Sequence, residues 1–333
     1  MMNKLSFNLG ELSTQRTSLM GLSILFVLFC HAKIDDATFP CAVLSAFAFL
    51  DIGVDMFFLF SGIGIFFSFY NSEEKDTYSY SSFIIKRLKR ILIPYLILET
   101  PFWIWFCVKE GMSPLYSLYY LSFASFWLEH IGLWFVALLL PLYFVSPFLL
   151  KLIRRSEWWV IGLVVLPLVI SVIPNEIVNS PYTEIFNNIQ IVSSRIPCYV
   201  IGLWMGKKVM NKEHISIIWF VLLLVLFVIF KFIPIVNTIY RGWMIAIVLS
   251  ALLASAFEKM KEVNGIYAPM TLLGKSTLFI YISYDVCKNL SINIPLFGGS
   301  GTTFFLSVIG EGIFMGILYY YTDRFFKLNT QHK

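Results

Sequence analysis

Charged residues are scarce in this chain. They make up 14% of its 333 residues, whereas soluble domains usually carry about 25%. Hydrophobic residues make up 58% and the mean hydropathy is +0.78, so the composition excludes an ordinary soluble domain. The signatures GxxxxGK(S/T), GxSxG and HExxH are also missing. The sequence therefore gives no sign of a P-loop ATPase, a nucleophile-elbow hydrolase or a zinc peptidase.

Cysteine pairs are lacking as well. There are five cysteines and no CxxC spacing. Cys41 lies in a loop, and the other four lie in apolar runs. An odd number without such a motif predicts neither a disulfide framework nor structural zinc, and we expect no bound metal. Although the net charge is +5, the positive charges fall in short loops between apolar runs, so we expect no nucleic-acid partner.

Long apolar runs are what the sequence has in abundance. A helix needs about 20 apolar residues to cross the ~30 Å hydrocarbon core of a bilayer. Ten runs approach or reach that length: 17–34, 46–70, 91–108, 131–151, 158–174, 191–209, 215–233, 238–257, 270–292 and 302–322. They predict an all-α, polytopic transmembrane helix bundle of about ten spans, a single membrane-embedded domain covering 1–333. The run 114–128, rich in Tyr, Ser and Phe, is interpreted as an interfacial or re-entrant helix.

The basic residues predict the orientation of the bundle. With the N-terminus inside, most of the 25 lysines and arginines fall in segments on the cytoplasmic side, as the positive-inside rule requires. Both termini are therefore predicted to be cytoplasmic. The first run is too long for a signal peptide and has no small-residue cleavage site after it, so we keep it as a span. Neither end of the chain predicts a soluble domain.

Several ionisable residues lie inside the predicted spans. Such residues usually face a bundle interior or a wet cavity, and most of these fall in the outer half of their span. They predict a polar cavity that opens toward the outside. The alternative is structural, with Asp55 or Asp285 pairing with Arg195 to hold the bundle together. The residues are His31, Asp51, Asp55, Glu99, Arg195, Asp285 and Glu311.

Histidines can be ranked by position. His31 is the only histidine placed within a span. Histidine suits the role of a general base because its ordinary pKa is close to neutral. His130 follows Glu129 at an outer span edge. That position fits either a functional histidine or an ordinary interfacial one. We favour a functional role for His31.

A basic cluster precedes the third predicted span. FIIKRLKRILIPYLIL (83–98) carries Lys86, Arg87, Lys89 and Arg90. One interpretation is a positive-inside anchor that touches anionic lipid. The other is a site for the phosphates of a cytosolic ligand, because arginine binds phosphate in a bidentate manner.

Six segments, taken in order, resemble the integral membrane acyltransferases called acyltransferase family 3. Together they cover nearly the whole chain. They are MGLSILFVLFCH (20–31), DIGVDMFFLFSG (51–62), FIIKRLKRILIPYL (83–96), LWFVALLLPLYFVSPFLL (133–150), RIPCYVIGLWMGK (195–207) and LGKSTLFIYIS (273–283). The resemblance implies O-acetyl transfer from cytosolic acetyl-CoA to a hydroxyl of a surface polysaccharide or lipid-linked sugar. It also implies a multi-pass protein of the bacterial cytoplasmic (inner) membrane, in contact with membrane lipid.

The resemblance also assigns catalytic roles. His31 matches the family's histidine and would act as general base or acyl relay. Asp55 matches the signature acid and would orient that histidine. Arg195 matches a later arginine and would stabilise an oxyanion or bind the acceptor.

The resemblance also assigns residues that bind the acyl donor. Arg87 and Arg90 match the family's inner basic motif and would hold the CoA phosphates. The family usually has Arg or Lys eleven residues before its histidine; this chain has Met20 there. Two alternatives follow: Arg16, about one helical turn earlier, substitutes for that residue, or its role is missing in this chain.

Acceptor binding is assigned to Trp134, Tyr281 and Asp285. Where the family's late span often ends near a histidine, this chain has Ser283, Tyr284 and Asp285. No C-terminal extracytoplasmic esterase-like domain, which many members carry, is expected.

A transporter or flippase is the alternative from another class. Buried ionisable residues also mark transport pathways in membrane bundles. Such a protein would carry a sugar-lipid or anionic solute without covalent chemistry. Transporters often contain inverted repeats, and no repeat is visible here. Consumption of a CoA thioester by the purified protein distinguishes the two functions.

Overall fold

A computed structural model describes residues 6–33, 39–75, 77–174, 182–232, 242–293 and 301–331. Within these ranges the chain is almost entirely helical, as predicted. The helices are α1 (Gly10–Thr14), α2 (Arg16–Cys30), α3 (Cys41–Phe49), α4 (Ile52–Glu74), α5 (Tyr80–Lys109), α6 (Ser117–Leu121), α7 (Ala124–Glu129), α8 (Trp134–Arg155), α9 (Trp158–Ile170), α10 (Thr183–Met210), α11 (Ile218–Phe232), α12 (Gly242–Met260), α13 (Asn264–Asn293) and α14 (Gly301–Gln331). Two 3-10 turns cover His31–Lys33 and Pro114–Tyr116.

One small β-ribbon was not predicted. Strand β1 (Ser6–Asn8) pairs antiparallel with β2 (His214–Ser216), and Phe7 faces Ile215. The ribbon ties the start of the chain to the connection between α10 and α11. It satisfies backbone hydrogen bonds in two short segments, one before α1 and one between α10 and α11.

The helices agree with the predicted apolar runs in place and order. Five stretches are long and apolar enough to cross a membrane: Cys41–Glu74, Tyr80–Lys109, Trp134–Arg155, Gly242–Met260 and Gly301–Phe325. Shorter apolar helices cover Arg16–Cys30, Trp158–Ile170 and Ile218–Phe230. These features define a multi-pass integral membrane protein. Residues 233–241, where the predicted runs 215–233 and 238–257 end and begin, lie outside the described residues.

The run 114–128 does not form one continuous helix. It contains the turn at Pro114–Tyr116 followed by α6 and α7, of five and six residues. Phe123 separates these two helices and has a left-handed backbone, with φ +64°. Neither helix is long enough to cross ~30 Å of hydrocarbon, which agrees with the interpretation of this run as a non-spanning segment.

Helix α5 begins eleven residues before the predicted run at 91. The basic cluster is therefore part of the helix rather than of a preceding loop. Lysine and arginine are good helix formers, so they extend the helix beyond its apolar part. Arg87 and Arg90, three residues apart, share one helix face.

Four glycines allow two pairs of helices to cross very closely. Gly62 of α4 meets Gly202 of α10, and Gly21 of α2 meets Gly274 of α13. A Cβ at any of these positions would lie 1.7–2.3 Å from a backbone oxygen of the other helix. Close backbone approach at small residues is typical of helix packing in membranes. The two crossings fix the helices that carry most of the candidate site.

The segments predicted to be cytoplasmic gather at one end of the bundle. Arg154 donates to Glu73 at 2.6 Å, and Gln15 donates to Glu258 at 2.5 Å. The β-ribbon lies at the same end. The first contact joins α8 to α4, whereas the second contact and the β-ribbon join residues 6–15 to the end of α12 and to the segment after α10. The prediction that this end faces the cytoplasm stays a prediction.

Candidate active site

A cavity of about 450 Å³ lies between α2, α4, α5, α8, α10 and α13. Its size falls in the range of small-molecule binding sites. Most residues that the sequence assigned to the site line this one cavity: Arg16, His31, Arg87, Arg90, Trp134, Arg195 and Tyr281. Two other assigned residues, Asp55 and Asp285, are not among the described residues that line it. The fold thus brings together seven assigned side chains from five helices and the turn that follows α2.

The cavity extends along α2. Arg16 begins this helix and His31 follows its last residue, so the two lie roughly 22 Å apart along the helix axis at 1.5 Å per residue. Helix α4 runs antiparallel beside it, because Gly64 contacts Arg16 while Gly53 contacts Val27. The cavity therefore has an arginine end and a histidine end.

Three arginines define the arginine end. Arg87 and Arg90 come from α5, and Arg16 comes from α2. Among the described residues, no carboxylate forms a salt bridge with any of the three. The Nε of Arg16 is buried without a hydrogen-bond partner. Cations without acidic partners are suited to bind a phosphate-rich ligand.

Gly64 makes room for Arg16. A Cβ at position 64 would lie 2.6 Å from Nη2 and 3.0 Å from Cζ of Arg16. The guanidinium group therefore rests against the backbone of α4 and reaches the cavity that Arg87 and Arg90 line. Met20, which occupies the family's usual basic position, lines the same cavity. The role of Arg16 as a substitute for the family's basic residue stays a prediction.

His31 lies half-buried at the other end. Its Nδ1 is 2.7 Å from the backbone oxygen of Val27. Because a carbonyl only accepts hydrogen bonds, Nδ1 carries the hydrogen, and Nε2 is the acceptor nitrogen of the neutral ring. The ring of Tyr284 lies 5.7 Å away, centroid to centroid. A tautomer held in this way can take a proton at Nε2, as a general base does.

Arg195 links three elements near His31. Its guanidinium donates to Asp55 at 2.8 Å and also to Asp51, and its Cζ lies 5.9 Å from the ring centre of Trp134. Arg195 and Asp55 are buried. The pairing considered as the structural alternative for Asp55 is therefore present. Its orientation of His31 stays a prediction.

Tyr281 and Asp285 lie in different surroundings although they are one turn apart on α13. Tyr281 lines the cavity and packs edge-on against Phe135, 5.8 Å between ring centroids. Asp285 accepts from Asn289 at 3.0 Å and interacts electrostatically with buried Glu99 of α5. The acceptor-binding role of Asp285 stays a prediction, now without support from the cavity lining.

His130 also lines the cavity, and its partner was missed from the sequence. Its Nδ1 lies 2.5 Å from Oδ1 of Asn188. Asn188 is fully buried on α10, 58 residues away in the chain. The only sequence signal was a polar residue shortly before an apolar run, which is too common to identify a contact.

The family described as an acyltransferase domain, acyltransferase family 3, matches residues 19–325. The chain therefore belongs to this family of membrane acyltransferases, as its motifs predicted. The match covers all the cavity residues named above except Arg16, which lies three residues before it. Comparisons with curated proteins and with solved structures give no significant match.

Proposed function

We propose that the protein is an O-acetyltransferase that moves an acetyl group from acetyl-CoA to a hydroxyl of a surface polysaccharide or a lipid-linked sugar. The observation that carries the proposal is one cavity with His31 at one end and, at the other, three arginines that have no carboxylate partner among the described residues. Acetyl-CoA has a matching distribution of charge, because its anionic phosphates and its uncharged thioester lie at opposite ends of a flexible arm. Arg16, Arg87 and Arg90 would hold the phosphates and leave the thioester near His31.

The reaction then needs one proton acceptor and one stabiliser of negative charge. Nε2 of His31 accepts the proton of the acceptor hydroxyl while the oxygen of that hydroxyl attacks the carbonyl carbon of the thioester. A carbon–oxygen bond forms, the carbon–sulfur bond breaks, and the proton passes to the leaving CoA sulfur. Arg195, held by Asp51 and Asp55, lines the same cavity, and its guanidinium would donate a hydrogen bond to the oxyanion.

We also infer the orientation in the membrane. The protein crosses a bacterial cytoplasmic membrane ten times and keeps both termini inside. Support comes from the bundle end where Arg154, Glu73 and the β-ribbon meet, because the lysine- and arginine-rich segments converge there. Arg87 and Arg90 lie among the first 11 of the 30 residues of α5, in the half nearest to that end. Cytosolic acetyl-CoA would therefore reach the arginine end first.

Binding of radiolabelled acetyl-CoA to the purified protein tests the proposal. The variant Arg87→Ala/Arg90→Ala removes two cations that line the cavity. The matched control Lys86→Ala/Lys89→Ala removes two exposed cations with the same spacing on the same helix. We expect the arginine variant to lose about tenfold or more in affinity, as for one or more charge-assisted hydrogen bonds, and the lysine variant to bind like wild type.

The outcomes separate the competing functions. Equal losses in both variants would indicate a general charge effect and favour the lipid-anchor interpretation of the cluster. Absence of acetyl-CoA binding and of thioester consumption in a folded wild-type sample would contradict the acyltransferase proposal. That result would instead favour a transporter.

A further inference from the structure

His130 occupies an unusual backbone position in the cavity wall. It ends α7 in the left-handed conformation, with φ +57°, two residues before Gly132, whose φ is +102°. The amide of His130 donates to the oxygen of Phe126 at 3.0 Å, and Ile131 donates to Ser125 at 3.2 Å. These bonds hold the turn between α7 and α8, so the backbone of His130 is anchored on both sides.

The side chain of His130 is held by a hydrogen bond to Asn188 of α10. Asn188 donates from Nδ2 to the backbone oxygens of Phe126 at 2.7 Å and Trp127 at 3.2 Å. Two carbonyl acceptors fix which end of the amide is nitrogen, so Oδ1 must face His130. An amide oxygen only accepts. Nδ1 of His130 therefore carries the hydrogen, and Nε2 is the acceptor nitrogen.

The position of Asn188 places His130 at the histidine end of the cavity. Asn188 and Arg195 are seven residues apart on α10, which is close to two turns, so they share a helix face about 10 Å apart. Trp134, beside Arg195, follows His130 by four residues. His130 thus stands beyond Arg195, on the side away from the arginine end.

We propose that His130 binds the acceptor, with Nε2 accepting a hydrogen bond from a second hydroxyl of the sugar. This inference rests on the proposed function, and it names a residue that orients the acceptor rather than the one that takes the reacting proton. Three features favour it: the side chain lines the cavity, its tautomer is fixed by a fully buried amide, and it lies past Arg195 from the donor site. A sugar can be oriented by such a fixed acceptor because it offers several hydroxyl donors.

Two substitutions at this position separate binding from structure. His130→Asn suits the left-handed backbone, which asparagine adopts readily, and its amide nitrogen replaces Nδ1 as donor to Asn188. The same substitution removes the hydrogen-bond acceptor nitrogen Nε2 of the histidine ring. His130→Gln extends further and returns an amide oxygen to the place of Nε2. A purely structural role predicts that His130→Asn is the better tolerated variant.

The assay uses membranes from source cells in which the chain is replaced by each variant. Acetyl-CoA labelled in the acetyl group is the probe, and ester-linked label in the endogenous polysaccharide and lipid fractions is measured per amount of protein. We expect His130→Asn to lower transfer five- to tenfold, the effect of losing about one hydrogen bond. The acetyl-CoA concentration for half-maximal rate should stay unchanged, and His130→Gln should recover part of the rate.

The outcome at His130 is separate from the proposed function itself. If wild-type membranes transfer label and His130→Asn transfers it equally well, the acceptor role is overturned while the acetyltransferase proposal stands. A changed half-maximal acetyl-CoA concentration in His130→Asn would also overturn it, since the defect would then lie in the donor site. If wild-type membranes transfer no label, the proposed function fails first.

Discussion

The two ends of the cavity carry similar cations in opposite settings. At the arginine end, Arg16, Arg87 and Arg90 have no acidic partner among the described residues. At the histidine end, Arg195 is buried and paired with Asp51 and Asp55. The difference teaches which cations are available to a ligand. An unpaired guanidinium attracts an anion, whereas one held between two carboxylates keeps its place and orientation.

The same contrast explains why the histidine end suits chemistry. His31 has its ring tautomer set by Val27, and His130 has its ring tautomer set by Asn188. Arg195 is held by two carboxylates. Groups fixed before the substrate arrives can act on it without reorganisation. The arginine end instead has exposed or half-buried cations that a flexible, highly charged ligand can gather.

The largest effect is expected from His31→Ala. It removes the only group assigned to take the hydroxyl proton, so transfer should fall about 10²- to 10⁴-fold. Binding of acetyl-CoA should be unchanged, because the arginine end is intact. Transfer at the wild-type rate in membranes that contain this variant would show that the role assigned to His31 is wrong.

Arg195→Ala should have the largest effect on stability. It leaves Asp55 buried beside Asp51 without its cation, and an unpaired buried charge costs about 3–5 kcal/mol. We expect a lower melting temperature in detergent than for Arg154→Ala, which breaks a half-exposed pair with Glu73. The double variant Arg195→Ala/Asp55→Ala should regain part of the loss. Equal melting temperatures of Arg195→Ala and Arg154→Ala would contradict a stabilising role of the buried pairing.

Gly64→Ala should produce the smallest and most local effect. The new methyl group would meet the guanidinium of Arg16 at 2.6 Å and push this side chain away from its place on α4. We expect acetyl-CoA affinity to fall a few-fold, as for one weakened hydrogen bond, while melting changes little. Gly162→Ala is the control, because a methyl group there would meet nothing within 4 Å. Identical affinities in the two variants would argue against a donor-binding role for Arg16.

The sequence predicted the helices and the family better than the contacts. Apolar runs identify helices because the bilayer requires them. The start of α5 at Tyr80 could not be predicted in this way, because charged residues occur both in helices and in loops. The cavity gathers Arg87, His31 and Arg195 as their motifs suggested. The sequence does not show which ionisable side chains contact each other, because one carboxylate has several possible cationic partners along the chain. Asp55 could have faced His31 or Arg195, and only the crossing of α4 with α10 shows its pairing with Arg195.

Steady-state transfer at increasing acetyl-CoA tests most directly whether the two ends serve donor binding and chemistry. Arg87→Ala/Arg90→Ala and His31→Ala are compared with wild type in the same membranes. We predict that the arginine variant needs about tenfold more acetyl-CoA but regains the wild-type maximal rate. His31→Ala should have an unchanged KM and a lost kcat. A lost kcat in the arginine variant at every donor concentration, or a rescue of His31→Ala by more acetyl-CoA, would contradict this division.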